Sequence, residues 1–515
     1  MKMELFPIHA GRVCVRLAEA GASLALAALI AGCGNNYSPV VTPITPSGPP
    51  AQPISYAVVV SSTGPATPGV ASIIDYSGDS LMAETPIGIN PIGLTLSENG
   101  GEAYAINSDR TITNFTANQP VDLQPRDLLF TTLPTNAQVV NLFGAPSGDL
   151  WAADLNGNAV DLFTGSPESY SLAIPVAPTP VTMAGAPTAT GQREYVISQN
   201  FTDPTGLVCN TAPSTAPAGG VVTPIEISTD TADVPIPVGK CPVYAVPSAD
   251  LQRLFVLNRG DDTITVINSQ TDSLDACTPF QNQNGQLVTC HPTLPLSLSA
   301  VTATGITPPN GTSGMPQIAG PVDAEYNAAT QQLVVADYDG GTISVIDVSL
   351  DQYGNDSPTF GTTYTIPVGH NPAGVTVLYD GSQAYAANQT DGTVTAVSLS
   401  SYTVEATLPV EGHPRTVVST QNSQYSKIYA ASPDNPEITI IESTPTTLDQ
   451  IDTTVLMEGY PVDVRTTTQN GTSSSIDNYS SRIPGYGQPC NLPPALMVST
   501  YGANYTLADC RQAGP

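Results

Sequence analysis

Six times in this 515-residue chain a proline is followed, five positions later, by a second proline that opens an apolar run. The pairs are Pro86/Pro91, Pro175/Pro180, Pro237/Pro242, Pro316/Pro321, Pro367/Pro372 and Pro409/Pro414, with degenerate copies at Pro134/Val139 and Leu456/Pro461. A period of this kind constrains the fold more than length does. Each unit is one supersecondary element that cannot bury its own apolar face and must stack on its neighbours. The usual expectation of several separate domains for such a length is set aside.

Each opening run has the same sequel. In seven units, 12 to 15 residues after the second position, comes an apolar strand, usually opened by an aromatic and ending in Asn, Asp or Ser. Examples are Tyr104 to Asn107, Trp151 to Asp154, Phe255 to Asn258, Val334 to Asp337 and Tyr385 to Asn388. A polar turn such as Asp391-Gly392 follows, then a third run with β-branched residues at period two, as in Thr263 to Asn268 and Thr342 to Asp347. These are strand signals, and a looser fourth strand precedes the next proline pair.

Four strands per unit with no helix between them predict an all-β fold, a β-propeller of four-stranded blades. The chain begins its body at Ser55-Tyr56 with a second-type strand, and its last motif, Pro461 to Thr468, is an innermost strand without successors. Pairing this C-terminal strand with the first blade completes one composite blade and hides both sheet edges. The count is then eight blades, with seven as the alternative if the copy at Val139 is no true blade. Residues 55–468 divide into about 52 per blade, near the ~40–50 of propeller repeats.

The Gly-x-x-Pro openings (Gly88 to Pro91, Gly239 to Pro242, Gly369 to Pro372), the Tyr-x-x-Asn second strands and the Val-Ile-Asp third strand resemble the YVTN β-propeller repeat family. The resemblance covers the same 55–468 and is strongest over 367–442. Members of that group resemble lactonases or haem-bearing reductase domains. No His/Glu/Arg set matches a lactonase motif residue by residue, and no C-x-x-C-H haem site exists.

The N-terminus carries an address. Lys2, Arg12 and Arg16 precede an apolar stretch, Ala20 to Ala31, too short for the ~20 residues that span a bilayer. Its end, Leu29-Ile-Ala-Gly-Cys33, resembles the bacterial lipobox, in which the peptide is cut before a cysteine that is then acylated. The resemblance implies lipidation at Cys33. With Gly34 rather than Asp following, it also implies sorting to the outer membrane or cell surface. Residues 1–32 are thus a signal peptide, 33–54 a Pro-rich tether that favours extended polyproline II, and 469–515 a C-terminal tail. Cleavage removes three basic and two acidic residues and leaves 483 residues with a net charge of −31. That acidity excludes phosphate-backbone binding, which needs clustered Lys and Arg. The expected contacts are a membrane, through the acyl group, and a protein partner in the envelope, with no nucleic acid.

Six cysteines remain in the body and tail: Cys209, Cys241, Cys277, Cys290, Cys490 and Cys510. Export makes disulfides the expectation. Cys209, between a second and a third strand, and Cys241, between blades, belong to loops of the same propeller face and can meet. Cys277 and Cys290 flank a polar insertion, and Cys490 and Cys510 bracket the tail. No C-x-x-C pair occurs, and neither a metal nor a cofactor is expected.

The candidate binding residues ring one mouth of the central channel. His370 and His413 occupy equivalent blade-to-blade loops, Lys240 and Tyr460 share that loop type, and Asp337 and Asn388 end second strands nearby. Asn, Asp and Ser recurring at the strand ends also suit turn backbone satisfaction. Arg259-Gly-Asp261 and Asp337-Tyr-Asp-Gly-Gly341 read as turns, not as an integrin or calcium motif. The functional expectation is a binding or scaffold module; the balance leans against an enzyme without deciding it, and a lactonase-like hydrolase at the rim is the alternative.

Overall fold

The computed structural model describes residues 55–467 except 98–99, 118–127, 145–147, 189–190, 202–208, 210–217, 282–284, 286, 297–317, 423 and 444–448. Eight antiparallel sheets form the blades of an eight-bladed propeller, and no α-helix occurs among the described residues. Blade 1 runs Pro91–Leu96, Glu102–Asn107, Thr111–Thr116 and Leu129–Thr132, from the innermost strand outwards. The degenerate copy opens a true blade 2, with Val139–Gly144 innermost, so the count is eight. The other innermost strands are Pro180–Thr188, Pro242–Pro247, Pro321–Asn327, Pro372–Val377, Thr416–Ser419 and Tyr460–Thr466. In blade 7 pairing starts two residues after Pro414. Each innermost strand packs on that of the next blade, and the eighth returns to the first.

Closure follows the composite-blade expectation. Tyr460–Thr466 pairs antiparallel with Tyr56–Ser62, which continues to Pro68–Asp75 and Leu81–Ile89. Beyond the ladder, Tyr56 N–H donates to Thr467 Oγ1 and Thr467 N–H to Tyr56 O, both at 2.8 Å.

Every blade is sandwiched between two others, so both faces of the second and third strands are buried. Large aliphatics alternate there with small hydroxyls, as in Ile264, Thr265 and Val266, which are all buried. Outer strands face solvent; Ser169–Pro175 buries only Ile174. Blades 3 and 4 have split outer strands, and in blade 4 the split admits a hairpin, Phe280–Gln281 with Leu287–Val288.

The repeat's own residues form a lock. Asn107, Asn258 and Asn388 each donate through Nδ2 to two threonine hydroxyls of the third strand; for Asn388 these are Thr393 at 3.0 Å and Thr395 at 2.8 Å. Each amide lies against the glycine of the Gly-x-x-Pro opening. A Cβ on Gly88, Gly239 or Gly369 would come within 2.4, 2.6 and 2.6 Å of Asn107, Asn258 and Asn388. The glycine is there because the asparagine occupies the space a side chain would need.

The strand directions define two faces. Blade-to-blade loops and second-to-third turns lie on one, the rim face. First-to-second loops, third-to-fourth turns and both ends of the body (Tyr56 and Thr466) lie on the other, the terminal face.

Candidate functional site

In four blades an aspartate of the second-to-third turn organises the rim face. Asp109, Asp261, Asp391 and Asp434 each accept the backbone N–H of a residue in the preceding blade-to-blade loop: Ile89 at 3.0 Å, Lys240 at 3.0 Å, His370 at 2.7 Å and His413 at 2.8 Å. This clasp ties the loop to its own blade whatever side chain the loop carries. In two blades the side chain is histidine, and it adds a second bond. His370 Nδ1 meets Asp391 Oδ1 at 2.7 Å, and His413 Nδ1 meets Asp434 Oδ2 at 2.5 Å. A carboxylate only accepts when ionised, so Nδ1 is the donor, and in the neutral ring Nε2 carries the lone pair. Both rings are about one-third exposed. Each partly exposed histidine is thus oriented by its own blade, with Nε2 as the acceptor or base of the neutral ring.

The other rim candidates fall into two groups. Lys240 is half-buried and Tyr460 exposed, at the start of the last innermost strand. Asp337 and Asn388 are fully buried and serve their own turns. Asp337 replaces the lock asparagine, and its Oδ2 accepts from Thr342 Oγ1 at 2.9 Å and Ser344 Oγ at 2.7 Å. Burial pushes its carboxyl up to about 7, despite those two bonds, with the charge of Asp262 adding to the rise. Asp262, itself raised to about 6 mainly by burial, accepts the Gly320 N–H at 2.8 Å.

The two short motifs of this face serve the structure. Arg259 is buried, bonds Asp339 through Nη2 and Nε at 3.0 and 3.3 Å, and lies 5.4 Å from the Tyr338 ring. Its guanidinium therefore joins blade 4 to blade 5 and is not displayed. Asp339 holds that arginine, and Asp337 points into its own blade. Among the described residues, no group of three His, Cys, Asp or Glu side chains is placed to hold a metal ion.

Two bridges are formed, Cys209–Cys241 and Cys277–Cys290, both as the loop positions suggest. Cys33, Cys490 and Cys510 lie outside the described residues.

A charged group on the innermost strands escaped the sequence reading. Asp323, Glu325, Arg415, Asp463 and Arg465 are all buried. Asp323 Oδ2 accepts the Val375 N–H of the next innermost strand at 3.0 Å, as Asn141 Oδ1 does for Met183 at 3.2 Å. Gln421 Nε2 spans to Glu325 Oε1 at 2.6 Å and Val377 O at 2.7 Å, linking blades 5, 6 and 7. Arg465 pairs with Asp463 at 3.0 Å. The available signal was charge at period two directly after the second proline (Pro321-Val-Asp-Ala-Glu, Pro461-Val-Asp-Val-Arg), in a chain only 11% charged.

No family model matches the chain, and no curated protein matches it in sequence. Similar solved structures include apo AztD from Citrobacter koseri, 13% identical over 80% of this chain and 97% of that one, with a TM-score of 0.50. Dihydro-heme d1 dehydrogenase NirN in complex with DHE is 15% identical over 82% and 77%, also at 0.50. A putative 6-phosphogluconolactonase from Bacteroides fragilis is 14% identical over 81% and 99%, at 0.48. The likeness is one of fold. At such identities no ligand or reaction passes from those proteins to this one.

Proposed function

We propose that the chain is an exported lipoprotein of the YVTN-repeat type whose propeller serves as a binding or scaffold module at the cell envelope. The observation that carries export is the pair of closed bridges, Cys209–Cys241 and Cys277–Cys290, since disulfides persist in oxidising compartments. The lipobox-like Leu29 to Cys33 and the Pro-rich tether behind it support anchoring through an acyl group on Cys33. A binding role is supported by the rim. Asp337 and Asn388 are buried in their own turns and Arg259 joins two blades, whereas His370, His413, Lys240 and Tyr460 are at least partly exposed and within reach of a partner.

One observation favours a second reading. A partly exposed histidine held through Nδ1 by a carboxylate is the arrangement of a general base, and two such pairs occur on neighbouring blades, which suits a lactonase-like hydrolase.

Labelling with a radioactive fatty acid tests the anchor: the wild-type chain takes up label and Cys33→Ser does not. A His370→Ala/His413→Ala double variant separates the two roles. Lactone opening by the wild type that the double variant loses would sink the scaffold reading. Cross-linking in envelopes that captures the same protein with or without both histidines, from a chain inert towards lactones, would sink the hydrolase.

A further inference from the structure

The exposed large apolar side chains are unevenly distributed between the two faces. Leu81, Tyr170, Tyr364, Val404 and Ile451 are each 36% exposed or more. All five fall in the first two residues of an outer strand, at its terminal end, in blades 8, 2, 5, 6 and 7. The registers fix this: Leu81 opposes Ile74, Tyr170 opposes Phe163, Tyr364 opposes Val345, Val404 opposes Val397 and Ile451 opposes Ile441, each within two residues of the terminal end of its third strand. Tyr353 and Tyr379 add two exposed rings in terminal-face loops. Among the described residues, Leu456 and Tyr460 of the exposed large apolar set border the rim face, and Phe130, Leu172 and Val234 lie along the middle of outer strands.

Blade 4 contributes by another device. Its inserted hairpin exposes Phe280 (43%) and Leu287 (64%). The base of the hairpin is fixed at the terminal end by the Cys277–Cys290 bridge, by Arg253 on Asp275 at 3.2 Å, and by His291 on Asp356 at 2.7 Å. Between Asp275 and Asp323 the sequence has no Asp, Glu, Lys or Arg, so this edge lacks the acidity of the rest of the chain.

The chain enters the body on this same face, at Tyr56. A belt of exposed Tyr, Leu, Val and Ile at one level suits the headgroup boundary of a bilayer, where aromatic and aliphatic side chains partition. We infer that the terminal face is a bilayer-contact surface, on which the Leu81–Ile451 belt and the Phe280/Leu287 hairpin rest while the rim face points away from the membrane. This rests on the proposed acyl anchor. A segment as long as residues 34–54 would reach at most about 65 Å if it took up polyproline II. That is long enough to leave orientation free, yet short enough to keep the local concentration of lipid high, so a weak patch can set the orientation.

Full-length acylated protein in phosphatidylcholine vesicles with brominated acyl chains tests this, using tryptophan reporters at exposed sites (Leu287→Trp, Ile451→Trp, Leu456→Trp, Tyr460→Trp). Trp151 is buried and supplies a constant background. Reporters at 287 and 451 should be quenched about twofold, being within reach of the headgroup–acyl boundary, while those at 456 and 460 stay bright. Adding Phe280→Asp to the Ile451→Trp chain should relieve its quenching. If acylated protein floats with vesicles, Cys33→Ser does not, and 287 and 451 remain unquenched or all four quench equally, the anchor stands and the oriented contact is wrong. If wild-type protein fails to float, the anchor itself is wrong and the inference falls with it.

Discussion

At Asp337 the repeat departs from its own rule by one atom. An asparagine there would be isosteric, and three other blades carry one. Burial raises the aspartate from the ordinary 3.8 to about 7, so between those values the folded chain holds a proton that the unfolded chain has released. Folded binding exceeds unfolded binding, hence stability falls as pH rises from about 4 to about 7 and stays low above it. Asp337→Asn removes that slope. The variant should be more stable than wild type above pH 7, by on the order of a few kcal/mol, and close to it near pH 4; urea midpoints across pH would show this. The lock makes a second expectation. Gly369→Ala drives a Cβ into Asn388 and should cost about 1–3 kcal/mol, while Gly369→Ala/Asn388→Ser should recover part of it, because blades 3 and 7 pair a non-glycine at this position with Ser198 and Ser432. A double-mutant cycle with no coupling would refute the lock. The pairing was visible in the sequence as Gly-x-x-Pro with a terminal Asn, although its reason, one side chain occupying another's space, needed coordinates.

Between elements, the second-strand tyrosines act as fasteners. The Tyr195 hydroxyl reaches Asp272 Oδ1 at 2.6 Å and the Tyr385 hydroxyl reaches Asp449 Oδ1 at 2.5 Å, in each case in the third-to-fourth turn of the next blade. Lys427 bonds Asp79 across the blade 7–8 joint in a related way. Tyr385→Phe leaves the buried Asp449 with fewer donors and should cost about 1–3 kcal/mol, whereas Tyr364→Phe, on an exposed outer strand, should change thermal unfolding little. The strands themselves were legible from period-two runs, because burial on both faces selects β-branched and small residues. The fasteners were not, because each partner lies 64 or 77 residues away across loops of unequal length. The inner charges were missed for a different reason: they replace apolar residues inside runs otherwise read as core.

For the whole molecule, repeat arithmetic was enough to set closure, including the blade built from both chain ends, and to bring the blade number to eight or seven. The true blade at Val139–Gly144 decides for eight. The arithmetic was not enough to rank the rim residues. Histidine looks equally functional in a loop whether or not an aspartate 21 residues on already claims it. Closure yields a global expectation. A chain ending at residue 457 lacks the innermost strand of blade 8 and exposes the edge of Tyr56–Ser62. It should lose cooperative unfolding and aggregate, where a chain ending at 468 should unfold in one transition; calorimetry and light scattering distinguish these.

That same joint sets an order of events. Synthesis runs from the amino end, so Tyr56–Ser62 is made first among the body's strands and its partner, Tyr460–Thr466, last. Seven blades can pair locally as they emerge, but the ring stays open until the final strand arrives. Joining residues some 400 positions apart is the slowest kind of contact to form. Until then the first strand has an uncovered edge, and any factor that meets the emerging chain meets it in that state.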